Sequence, residues 1–214
     1  MTDTVLFDLG GVFVHVDPEP SIRRLRARFS GLNGAALRDF FEDSPAALEY
    51  ELGRIDTDAF YRRVVRDLGL DLGRGEFEAC WNEIFEPIRP MIDLLPRLKP
   101  RYGLVLLSNT NPLHFETIGE RWSFYGHFDA VVLSYEVGAM KPDARMYEAA
   151  LARCGSSPEA CLFFDDREEN VLAAEEAGIR SFVFEAPDRV REPGRGGTMS
   201  VFDILEAGNE GAGL

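Results

Sequence analysis

The sequence predicts an α/β fold, a parallel sheet covered on both faces and interrupted by a helical insertion, and three observations lead there. Short apolar runs recur at 5–7, 104–107, 130–134, 161–164 and 181–185, and nearly unbroken runs of this length are strands buried on both faces. Helical periodicity fills the gaps between the later runs, so strand and helix alternate and crossovers are right-handed. Between the first and second runs lie about seventy residues with helical periodicity and little that reads as strand, too many for an ordinary crossover.

Taken in order, Val5, Leu6 and Phe7 lead into Asp8, and Gly10 and Gly11 then free the backbone for a sharp turn. Residues 13–17 alternate loosely up to Asp17-Pro18, a turn that also suits a helix start. Helices are predicted over 21–29, 35–41, 46–52, 56–69 and 76–85. The clearest begins at Asp56, a capping residue, sets Phe60, Val64 and Leu68 on one face and stops at Gly69. Helices at 91–98, 113–122, 144–154 and 168–177 then alternate with the later strands. Past Pro187 the chain turns rich in glycine and charge, 201–205 reads as a short docked helix, and 208–214 reads as a flexible tail. The expected division is an α/β core of 1–14 plus 89–207 around a helical cap of 15–88.

Composition narrows the function classes. Of 214 residues, 45% are hydrophobic and 28% charged, values typical of a globular protein. With 23 Lys and Arg against 37 Asp and Glu, the formal charge is −14. Such a surface repels nucleic acid and anionic membrane, and a small anionic substrate then needs a local positive feature, most simply a cation beside a lysine. Cys80, Cys154 and Cys161 form no CxxC pair, which fits reduced core thiols. Residues 1–20 carry no signal-peptide pattern and no apolar run approaches a membrane span, so the expected address is cytoplasmic. The oligomeric state stays open.

Four strand or loop ends carry polar groups: Asp8-Leu9-Gly10-Gly11-Val12, Ser108-Asn109-Thr110-Asn111, Lys141-Pro142 and Asp165-Asp166. Each alone has an ordinary explanation as a turn, a helix cap or an exposed loop. Together, in this order and spacing, they resemble the four motifs of the haloacid dehalogenase (HAD) superfamily over residues 5–185. Within it they look closest to the α-D-glucose-1-phosphate phosphatase type. The resemblance implies a Rossmann-like parallel sheet of order 5-4-1-2-3 with the first strand central, an inserted helical cap, and hydrolysis of a small phosphorylated metabolite.

The roles it implies are chemically coherent. Asp8 attacks phosphorus and is transiently phosphorylated. An anion attacking an anion calls for Mg²⁺, which takes hard oxygen ligands: Asp8, the Gly10 carbonyl and Asp166, with Asp165 behind them orienting waters or Lys141. Ser108 and the Asn109 N–H grip phosphoryl oxygens, and Lys141 neutralises transition-state charge. Gly10 departs from the pattern, because most phosphatase members carry there a second aspartate that protonates the leaving oxygen. Loss of a general acid/base costs about 10²–10⁴ in rate. Solvent or a cap residue fills the role, or the leaving group is good, as in an anomeric phosphate, or the protein is a weak or silent enzyme. His15 and Asp17 are candidate proton relays. Asn109, Thr110, Asn111, Glu49 and Trp81 are candidate leaving-group contacts, whereas His114 and His127 read as structural. A 2-haloacid dehalogenase, a non-catalytic binding module and a phosphotransferase are the competing readings.

Overall fold

In a computed structural model, residues 2–185, 188–194 and 196–207 are described. The chain runs β1 (Thr4–Phe7), β2 (Val14–Val16), α1 (Glu19–Arg28), α2 (Gly34–Asp43), α3 (Pro45–Glu51), α4 (Thr57–Asp67), α5 (Arg74–Trp81), β3 (Phe85–Pro87) and α6 (Arg89–Leu98). It continues through β4 (Gly103–Ser108), α7 (Pro112–Trp122), β5 (Ala130–Leu133), α8 (Ser134–Val137), α9 (Ala144–Cys154), β6 (Cys161–Asp165) and α10 (Glu168–Glu176). β7 (Arg180–Phe184), β8 (Arg189–Arg191), β9 (Met199–Ser200) and α11 (Val201–Ala207) complete it.

The sheet has the order β5-β4-β1-β6-β7-β8-β9. Its first five strands are parallel, with β1 in the centre, which is the expected core order read from the other edge. Two antiparallel strands, β8 and β9, extend the edge beyond β7. The sequence pattern does not announce them, since two or three residues make too short a run to show a period.

Side chains alternate across each strand, so each buried run feeds two cores. Val5 and Phe7 join Leu104, Leu106, Phe164 and Phe182 on the face covered by α6, α7 and α11. Leu6 joins Val105, Leu107 and Phe163 against Met146, Tyr147 and Ala174 of α9 and α10. Register then places the site. Phe7 lies opposite both Leu106 and Phe164, so the next residue on each strand, Asp8, Leu107 and Asp165, forms a row along one sheet edge.

The helical stretch α1 to α5 leaves and re-enters through β2 and β3, which pair antiparallel with Val14 opposite Pro87 and Val16 opposite Phe85. This corrects the expectation of a helix over 76–85: α5 ends at Trp81, and Phe85 enters a strand. The partner strand lies far away in the chain, so no local periodicity could reveal it. The insertion packs on aromatics: Trp81 stacks on Phe41 at 5.1 Å, and Tyr50 on Phe60 at 4.5 Å. The tail at 208–214 lies outside the described residues. Among the described residues no helix is long and apolar enough to cross a membrane, and Cys80, Cys154 and Cys161 are free thiols.

Candidate active site

Lys141 is the fixed point of the site. It is buried, and its three ammonium hydrogens meet three acceptors: the Leu107 carbonyl at 2.9 Å, Asp165 Oδ2 at 2.6 Å and Asp8 Oδ1 at 2.8 Å. The loop that delivers it is clamped by Asn109, whose Oδ1 accepts from the Lys141 N–H at 2.7 Å and whose Nδ2 donates to the Lys141 carbonyl at 2.9 Å. The Ser134 hydroxyl fastens the other end, bonding both the N–H and the carbonyl of Thr110. Gly138, at φ 71°, closes α8 in a left-handed cap that turns the chain toward Lys141.

The carboxylates differ in how they are held. Asp165 is fully buried and engaged on both oxygens, by Lys141, by the Asn170 amide at 2.9 and 3.1 Å and by the Arg167 N–H at 2.9 Å. Asp8 accepts from the Leu9 N–H at 2.7 Å, and both this bond and that from Lys141 fall on Oδ1. Asp166 is exposed beside them, and oxygen atoms of Asp8, Asp165 and Asp166 lie within 4.8 Å of one another. Burial pushes the Asp8 carboxyl up to about 8 against the pull of the Lys141 charge, with Asp165 and Asp166 adding to the rise. Burial opposes the charge on Lys141 too, yet Asp165 and Asp8 hold it above the usual lysine range.

Three carboxylates against one ammonium leave negative charge uncompensated, and the donor set consists of oxygens. The Asn170 Oδ1 is buried with no partner among the described residues. A Cβ at Gly11 would lie 2.3 Å from Asp166 Cγ, so only glycine lets the turn approach so closely. These features fit a hard divalent cation.

Asp8, Gly10, Gly11, His15, Asn109, Lys141, Asp166, Arg167 and Asn170 border a chamber of about 450 Å³. Ser108 is buried at the tip of β4, its hydroxyl 3.4 Å from the Asn109 carbonyl. His15 reaches the chamber, but Asp17 turns to the start of α1, where its Oδ1 accepts from the Glu19 N–H at 2.9 Å, and lines a different cleft with Glu83 and Arg121. Glu49 is paired with Arg63 on the insertion. Trp81 belongs to the insertion's core, and its ring stacks on His114 at 4.9 Å.

A second chamber of about 350 Å³ shares Asn109 and Arg167 with the first and is closed from the insertion by Phe41, Leu48 and Glu51. Sequence reasoning singled out Glu49 and passed over Glu51. A helix end with acids at both positions does not say which one turns inward.

A sequence model of haloacid dehalogenase-like hydrolases matches residues 2–178. A D-ribitol-5-phosphate phosphatase of Bacteroides thetaiotaomicron is 27% identical over 192 residues, 85% of this chain and 91% of its own. Phosphatase MT3486 of Mycobacterium tuberculosis is 28% identical over 98% of this chain and 97% of its own. Among solved structures, a HAD family enzyme of B. thetaiotaomicron in complex with magnesium and inorganic phosphate superposes with TM-score 0.78. It is 27% identical and covers 87% of this chain and 96% of that one.

Proposed function

Because the chain belongs to the haloacid dehalogenase-like hydrolase family, we propose that it is a Mg²⁺-dependent phosphatase acting on a small sugar or polyol phosphate through an aspartyl-phosphate on Asp8. One observation carries the reading: a single buried ammonium joins Asp8 and Asp165 at the mouth of a chamber that Asp166 also borders. The relative named for ribitol 5-phosphate and the neighbour holding magnesium and phosphate support it.

Asp8 would attack phosphorus in line with the departing alcohol, using the oxygen not tied to Leu9 and Lys141. Lys141, fully bonded and unable to swing away, would neutralise charge on the phosphoryl group as it transfers. Ser108 and the Asn109 N–H would hold phosphoryl oxygens, with Asn109 kept in place by its two bonds to Lys141. Asp8, the Gly10 carbonyl and Asp166 would hold Mg²⁺, with Asp165 behind them fixing Lys141 and Asn170. When bound, the ion shields the ester's charge from the attacking carboxylate. Helices α1 to α5, within 15–88, would act as a cap over the core of 1–14 and 89–207.

A metal-free dehalogenase gains nothing from crowding three carboxylates on one lysine. The binding-module reading that Gly10 invites meets the same experiment. Incubated with p-nitrophenyl phosphate and Mg²⁺, the protein should release phosphate, and both EDTA and Asp8→Asn should abolish release. Turnover that survives Asp8→Asn sinks the mechanism, and no turnover across a phosphoester panel returns the module reading.

A further inference from the structure

Gly10 has no side chain with which to hand a proton to the leaving oxygen, as a carboxylate at that position would. Glu51 ends α3 on the insertion and lines the second chamber, which meets the first at Asn109 and Arg167. We propose that Glu51 protonates the departing alcohol and afterwards takes a proton from the attacking water, in place of the carboxylate absent at position 10.

The surroundings of Glu51 are built to aim it. His114 is buried, and its Nε2 lies 3.2 Å from the Trp81 carbonyl, which can only accept, so Nε2 carries the proton. Its Nδ1 is then an acceptor for the Asn111 Nδ2 at 3.0 Å, and the His114 N–H donates to Asn111 Oδ1 at 3.1 Å. Both ends of the Asn111 amide are thereby assigned. The remaining Nδ2 hydrogen serves the side-chain bond that Asn111 makes to Glu51. Burial keeps His114 neutral down to about 3, so this chain of bonds does not change with pH in the working range.

Burial also pushes the Glu51 carboxyl up to about 7, against the Asn111 bond that favours its charge. A group poised there can both give and take a proton near neutrality. Arg167, at the N-cap of α10, is the other charged side chain on this chamber, and it is paired with Glu169 at 2.5 Å. From α8, Tyr135 approaches through its carbonyl at Gly53, and its hydroxyl stays neutral up to about 12.

The proton count closes. In the first displacement Asp8 forms its bond to phosphorus, the bond from phosphorus to the alkoxide oxygen breaks, and the Glu51 proton goes to that oxygen. In the second, water attacks phosphorus, the aspartyl bond breaks, and Glu51 regains a proton from the water. Phe41, Leu48 and Met140 give the same chamber an apolar wall. Ser44, Asn109 and Arg167 line the rest of it and offer polar groups to the other hydroxyls of a polyol.

This inference rests on the phosphatase reading, and leaving-group dependence separates the two. Single-turnover release would be followed with Mg²⁺ and enzyme in excess, from p-nitrophenyl phosphate, whose phenolate leaves without a proton, and from phenyl phosphate, whose phenolate is far more basic. Glu51→Gln should keep the p-nitrophenyl rate within a few-fold and lose about 10²–10⁴ with phenyl phosphate. The wild-type phenyl phosphate rate should fall as pH rises through about 7, a limb that the variant lacks. Equal losses on both esters, or an unaltered alkaline limb, overturn the role of Glu51. Asn111→Ala keeps Glu51 but removes the bond that favours its charge, so the limb should move to higher pH, and a limb that stays put also overturns the proposal. If the wild type releases neither phenol, the phosphatase reading fails and takes this role with it.

Discussion

At the scale of single residues, chemistry follows from how completely each polar group is satisfied. Lys141 has no spare donor and Asp165 no idle oxygen, so both act as fixed charges, whereas Asp8 keeps Oδ2 clear of the bonds from Leu9 and Lys141 and Asp166 faces solvent. Glu51 carries a stability consequence as well. Its folded value of about 7 lies above the ordinary 4.5. The folded state thus holds the proton more tightly, and stability present below pH 4.5 is lost as pH rises to about 7. Above pH 7, Glu51→Gln should therefore be more stable than the wild type by on the order of 3 kcal/mol and melt higher, while near pH 4 the two should coincide. Thermal melts across pH 4–8 check this, and parallel curves would contradict it.

At the scale of elements, the insertion is seated by close backbone approach. Gly53, at φ 66° in the turn after α3, faces the Tyr135 carbonyl of α8, and a Cβ there would lie 2.1 Å from that oxygen. The Tyr50 hydroxyl adds a bridge, sharing a hydrogen with Thr57 at 2.8 Å and accepting from the Leu113 N–H of α7 at 3.3 Å. Gly53→Ala should cost roughly 1–2 kcal/mol from the left-handed backbone alone, lower Tm and raise KM for p-nitrophenyl phosphate as α3 lifts from the core. Unchanged KM would mean that this contact does not shape the chamber. Most elements are legible in sequence because they are long enough to show a period: α4 has its Asp56 cap and its Phe60 and Val64 face, and α9 runs over the predicted 144–154. The β2 and β3 pair, α8, β8 and β9 are not, since each spans two to four residues, too few to show a period, and β2 and β3 meet only across the whole insertion.

At the scale of the whole molecule, a charge of −14 surrounds a chamber meant for an anion. The long-range field opposes substrate entry, and salt screens it within about 8 Å at physiological ionic strength. At fixed free Mg²⁺, raising monovalent salt from a few millimolar should therefore increase kcat/KM for p-nitrophenyl phosphate and leave kcat nearly unchanged. A decrease would show that local positive charge, and not the acidic surface, governs encounter. The two cores on either side of β1 hold the sheet's strand tips in row, which fixes Asp8 beside Asp165 independently of the insertion.

The sequence by itself determined the α/β class, the insertion and the polar residues at the strand tips, because apolar runs, helical periodicity and short motifs are local properties of the chain. Only the tertiary structure decided that Lys141 spends all three hydrogens on the site, that Asp17 turns to the start of α1 away from the chamber, and that Glu51, not Glu49, turns inward to Asn111. Those outcomes depend on burial and on partners far apart in the chain, and a carboxylate's proton affinity is set by the groups that fold around it.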